Sequence, residues 1–140
     1  MTVVTALLIG VLYVLVNSAV PERHRRPFNA IMVAGAGAAY LSGGGLGAWE
    51  FAITAVITYC AHRGLGSWTF IGIGWLVHTA ADVAHHLHGN PIVPFAEHSS
   101  LGCAICDPVI AVWAFLGGPS VLDTVRAAVR SRLPGAAGPR

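Results

Sequence analysis

The chain has 140 residues, of which 55% are hydrophobic and 10% charged, and its mean hydropathy is positive at +0.68. Soluble domains carry about a quarter charged residues, so this composition points to one small polytopic membrane domain with no room for a second. The net charge of +2, all of it from arginine, is too small and scattered to recruit nucleic acid, and three cysteines are too few for a disulfide scaffold.

Thr2–Val20 is a first apolar span. It lacks a basic leader and a small-residue cleavage site, which predicts a retained helix rather than a signal peptide. It stops at the basic connection Pro21–Pro27. A second span covers Phe28–Ser42, where Ala34, Gly35, Gly37 and Ala38 offer a small-residue face for packing within the chain or in a homo-oligomer. Gly43–Gly47 reads as a turn, Ala48–Ala61 as the third span and Ser67–Leu87 as the fourth. His88–Gly102, with two prolines, reads as a loop.

The last span is predicted to start at Asp107-Pro108, an N-cap acid followed by proline at the first helical position. Eleven residues from Pro108 to Gly118 would cover only about 16 Å. Either a separate amphipathic helix begins at Ser120 or, as the favoured expectation, the span kinks through Gly117-Gly118-Pro119 and ends in an interfacial helix. Ser120-x-x-Asp123 resembles a capping box there, and Val121, Val125, Val129 and Leu133 share a face. The expected fold is an all-α membrane bundle of about five transmembrane helices, with residues 1–133 as one domain and 134–140 as a disordered tail.

Five spans place Arg23, Arg25, Arg26, Arg63, Arg126, Arg130 and Arg132 on one side. The positive-inside rule makes that side cytoplasmic, with the N-terminus outside and the C-terminus inside. Glu50, His78, Asp82, His85 and His86 then lie inside or at the outer ends of spans, where each ionisable group costs several kcal/mol unless it pairs, ligates or faces water. His88, His98, Cys103, Cys106 and Asp107 lie close by in sequence. His78, Asp82 and His85 or His86 follow steps of three, four and seven, which align side chains on one helical face. Imidazole mixed with carboxylate suits iron, zinc or manganese. Helix bundles build di-metal sites from such residues, with Glu50 and Asp107 available as bridging acids. Structural hydrogen bonding and a proton pathway are the competing readings. His24 and His62, among arginines, read as interfacial. Cys103-x-x-Cys106 admits a disulfide, a pair of thiolate ligands or two reduced bystanders. A thiol-redox enzyme of the quinone-linked kind would need a second cysteine pair, and the chain has only Cys60 besides.

The stretch His78-Thr79-Ala80-Ala81-Asp82-Val83-Ala84-His85-His86, followed by Gly89–Phe95 and Gly102–Pro108, resembles a family of small bacterial membrane proteins of unknown function. That resemblance implies a multi-pass protein of the bacterial cytoplasmic membrane and brings no activity. Asp82-x-x-His85-His86, with His78 four residues earlier, is also similar to the histidine boxes of membrane desaturases and hydroxylases, with Asp replacing a box histidine. By analogy the expected function is a non-haem iron, possibly di-iron, oxidoreductase acting on a lipid-like substrate near the outer leaflet. The alternatives are a zinc hydrolase with Asp82 or Glu50 as general base, a non-enzymatic metal-binding or transport protein, and a thiol-redox protein built on Cys103 and Cys106.

Overall fold

A computed structural model describes residues 3–43, 45–93 and 95–132. It is all-helical, with no strand among these residues. The helices are α1 (Val3–Ser18), α2 (Glu22–Ala38), the single turn α3 (Tyr40–Gly43), α4 (Trp49–Gly64), α5 (Trp68–Leu87), α6 (Ser99–Phe115) and α7 (Val121–Arg132). Helix α5 is the centre of the bundle: α6 and α4 pack along it, α1 closes against α6, and α2 closes against α4. Close approach depends on small residues, as the composition predicts. A Cβ at Gly37 would come within 2.6 Å of Ile57, and one at Gly10 within 2.8 Å of the Cys106 carbonyl oxygen. Gly35 meets nothing.

The first, third and fourth predicted spans coincide with α1, α4 and α5 to within a few residues. Three other expectations need correction. The basic run after Pro21 is not a connecting loop but the first turns of α2, which continue through Pro27. Arg25 explains why. It is buried, and its guanidinium donates to the carbonyls of Asn17 (3.1 Å), Val20 (2.8 and 3.1 Å) and Gly118 (3.1 Å), tying the end of α1 to the turn after α6. Second, α6 begins at Ser99, so Asp107 is in mid-helix and caps nothing, while Pro108 is tolerated inside the helix at the loss of one backbone bond. Cys103 and Cys106 consequently lie on α6 rather than in a loop. The true connection is shorter, and Ser99 Oγ and Ser100 Oγ accept the N–H groups of Val93 (3.0 Å) and Ile92 (3.1 Å) to hold it against the start of α6.

Third, the last span does not continue through a kink. Gly117 and Gly118 both have positive φ, +89° and +59°, which ends α6. A side chain at Gly118 would also strike the Trp68 ring. A separate α7 follows, with Ser120 Oγ accepting the Asp123 N–H (3.1 Å) as half of the predicted cap. No α7 residue is buried, and Val125 and Val129 are exposed. Leu133 and the predicted tail lie outside the described residues.

Arg26 donates to the Leu65 carbonyl (3.1 Å) and Arg25 to that of Gly118, so the three arginine-bearing connections meet at one end of the bundle. No helix among the described residues is long and apolar enough to cross a membrane. The bundle nevertheless exposes much apolar surface, including Val4, Leu8, Leu12 and Val16 on α1, Ile31 on α2, and Phe51 and Tyr59 on α4.

Candidate metal centre

Helical spacing on α5 delivers His78, Asp82 and His85 to the buried side, while α4 contributes Glu50 and α6 contributes Asp107. These five side chains are each no more than 5% exposed. Glu50, Asp82 and Asp107 are half of the six acids in the whole chain. Among the described residues no arginine pairs with any of them, and histidines are their only basic neighbours.

The tightest cluster is formed by His78, Asp82 and Asp107. His78 Nδ1 lies 2.8 Å from Asp107 Oδ2 and 3.0 Å from Asp82 Oδ2. One ring N–H can be directed at only one of those oxygens, and Asp82 Oδ2 is left without a hydrogen-bond partner. The remaining carboxylate oxygens are held from behind. The Tyr40 hydroxyl lies 2.9 Å from Asp82 Oδ1 and shares its hydrogen with the His78 carbonyl at 3.0 Å. The Cys106 thiol donates to Asp107 Oδ1 at 3.3 Å. Each carboxylate is thus oriented by a neutral donor on one oxygen and turns the other toward the same imidazole nitrogen. Supporting donors of this kind orient ligands at metal sites.

The three atoms suit a metal ion by charge and by spacing. All lie within 4.8 Å of one another. The 2.8 and 3.0 Å separations are those of a hydrogen bond and an ion pair, and they keep the three atoms close enough to share one ion. Two buried carboxylates facing one imidazole also call for positive charge, which a divalent ion would supply.

His85 and Glu50 stand on the other side of Tyr40. The His85 ring stacks on Tyr40 with centroids 5.2 Å apart and an interplanar angle of 17°, and the His78 ring is 5.0 Å from Tyr40 on a tilted plane. His85 Nε2 is 3.4 Å from Glu50 Oε1, which also accepts the N–H groups of Gly45 (2.7 Å) and Leu46 (2.9 Å).

Other candidates fall outside these groups. His86, His88 and His98 are exposed. His88 Nδ1 sits 2.8 Å from the Ala84 carbonyl at the end of α5. Cys103 and Cys106 carry free thiols one turn apart on α6. Of this pair, Cys106 reaches the cluster through Asp107, while Cys103 is half-buried.

Sequence reasoning missed Tyr40. Its signal was available: an isolated tyrosine in a Gly/Ala-rich stretch carries a hydroxyl that burial obliges to find a partner. The first two helices carry a buried polar network as well. Tyr13 donates to Asn29 Oδ1 (2.8 Å), and Asn29 Nδ2 donates to Asn17 Oδ1 (2.9 Å) and to the Arg25 carbonyl (2.8 Å). The Tyr13 ring meets Trp75 edge-on at 5.8 Å, and Trp75 in turn lies 5.9 Å from His78.

No curated protein and no solved structure matches the chain. Residues 1–120 match the model of a family of unknown function, DUF6010, and the chain belongs to that family.

Proposed function

We propose that this protein is a membrane-embedded metal protein whose centre is held by His78, Asp82 and Asp107, and that it acts as an oxidoreductase on a lipid-like substrate. The observation that carries the metal reading is the convergence of three buried ligand atoms, one of them, Asp82 Oδ2, otherwise unpartnered. An oxygen-rich set with one imidazole favours iron or manganese over zinc, and iron is our choice. Bound iron would supply one-electron chemistry and open positions for O₂ or water. Asp82, Asp107 and His78 would bind the ion, while Tyr40 and Cys106 fix the carboxylate orientations. Burial of the five side chains keeps bulk water away from them.

Membrane embedding is supported by the apolar side chains exposed around α1, α2 and α4, since soluble monomers rarely leave such large apolar patches uncovered. The gathering of arginines at one end supports an orientation with that end cytoplasmic. Ion translocation is a weaker alternative. The Tyr13–Asn17–Asn29 network does place polar groups toward the arginine end, but they are hydrogen-bonded to one another and offer nothing to a passing ion.

Elemental analysis of protein extracted in mild detergent without chelator tests this reading, beside Asp107→Asn and the exposed-histidine control His86→Ala. We expect iron in the wild type and in His86→Ala, and its loss in Asp107→Asn. Wild-type protein that holds no metal, even after iron is added back, would overturn it.

A further inference from the structure

We propose that His85 and Glu50 form a second cation-binding site, separate from the three-ligand cluster and divided from it by the Tyr40 ring. This deepens the metal reading above and rests on it for the class of ligand. Both ring nitrogens of His85 and Glu50 Oε2 are buried without a hydrogen-bond partner. The pair does not satisfy itself, because Nε2 and Oε1 are 3.4 Å apart and make no hydrogen bond.

The carboxylate is prepared as a ligand would be. The backbone N–H groups of Gly45 and Leu46, just before α4, fix Glu50 Oε1, while Oε2 has no hydrogen bond. Stacking against Tyr40 fixes the plane of the His85 ring. The two sites therefore differ in ligand number, three side chains against two. With two protein ligands, the His85–Glu50 site binds more weakly and leaves positions for solvent or substrate.

Co²⁺ alone is the probe. Metal-stripped, detergent-purified full-length protein is titrated by equilibrium dialysis, with visible absorption recorded in parallel. The expected result is one tight and one weaker equivalent, the weaker adding its own change to the visible cobalt bands. Glu50→Gln, which keeps an acceptor for Gly45 and Leu46, should weaken the second step at least 10-fold and leave the first unchanged. His85→Ala should do the same, and Glu50→Gln suffices if that variant does not fold. Asp107→Asn should remove the tight step and spare the weak one. A single equivalent, unaffected by Glu50→Gln or lost equally in Glu50→Gln and Asp107→Asn, would overturn the second site but leave the first standing. No equivalents at all would overturn both.

Discussion

Two buried polar regions occupy this bundle, and they are built on opposite rules. Toward the arginine end, Tyr13, Asn17, Asn29 and Arg25 satisfy one another and the carbonyls at the end of α1. Farther along α5, around Tyr40, Glu50 Oε2, Asp82 Oδ2 and both ring nitrogens of His85 have no hydrogen-bond partner, and Trp75 Nε1, beside Tyr13 and His78, has none either. Among the described residues no other buried side-chain nitrogen or oxygen is left so. Native structures leave few such groups unpaired, and each unpaired group costs about 1–3 kcal/mol. A saturated network accounts for itself as scaffold. A cluster of buried carboxylate and imidazole atoms without hydrogen bonds supports the proposal that a cation binds there.

Mutations should separate the two regions. The largest effect is expected at the centre's function: Asp82→Ala or His78→Ala should lower metal affinity by more than 100-fold, beyond the 10–100-fold typical of supporting residues. Dialysis against a calibrated metal buffer would measure it. Next comes Asn29→Leu in the saturated network. It strands the Tyr13 hydroxyl and Asn17, and should cost about 2–4 kcal/mol of stability in detergent unfolding with metal content unchanged. The opposite substitution sharpens the contrast. His85→Leu combined with Glu50→Gln removes unpartnered groups without leaving a buried charge, so metal-free protein should unfold at the same or a higher temperature than wild type. A loss as large as that of Asn29→Leu would show that one of the two has a structural partner and would break the comparison.

Tyr40→Phe keeps the stacked ring and removes only the hydroxyl that holds Asp82 Oδ1. It should weaken metal binding by about 10–100-fold, while the fold loses only about 1 kcal/mol. The smallest effect is expected at the exposed pair of Arg126 and Asp123, 3.2 Å apart. Arg126→Gln should change stability by less than about 0.5 kcal/mol.

Much of this was legible in the chain before folding. Steps of three, four and seven placed His78, Asp82 and His85 on one face of α5. Hydropathy located α1, α4 and α5, because long apolar runs bounded by Gly and Arg leave little choice. Asp107 was read both as a candidate metal acid and as a helix N-cap, and only the second reading fails. The Asp-Pro pair looks like a helix start, but close packing of α1 Gly10 against the Cys106 turn, and of α6 along α5, carries the helix through the proline. The role of Arg25 was hidden because a charge in a basic run reads as solvated, whereas here it neutralises carbonyls that only the tertiary fold brings together. Pairing across the bundle was equally out of reach: periodicity cannot tell that Tyr40 lies between two histidines of α5, or that Glu50 meets His85 rather than His78.

The central claim is that the region of unpaired groups is a metal centre made of imidazole and carboxylate. X-ray absorption on iron-loaded protein in detergent tests it most directly. The account predicts a first shell of only nitrogen and oxygen near 2.0–2.2 Å, with weak imidazole scattering beyond it, and loss of that imidazole signal in His78→Ala. A sulfur shell near 2.3 Å would instead put the metal on Cys103 and Cys106 and contradict the account.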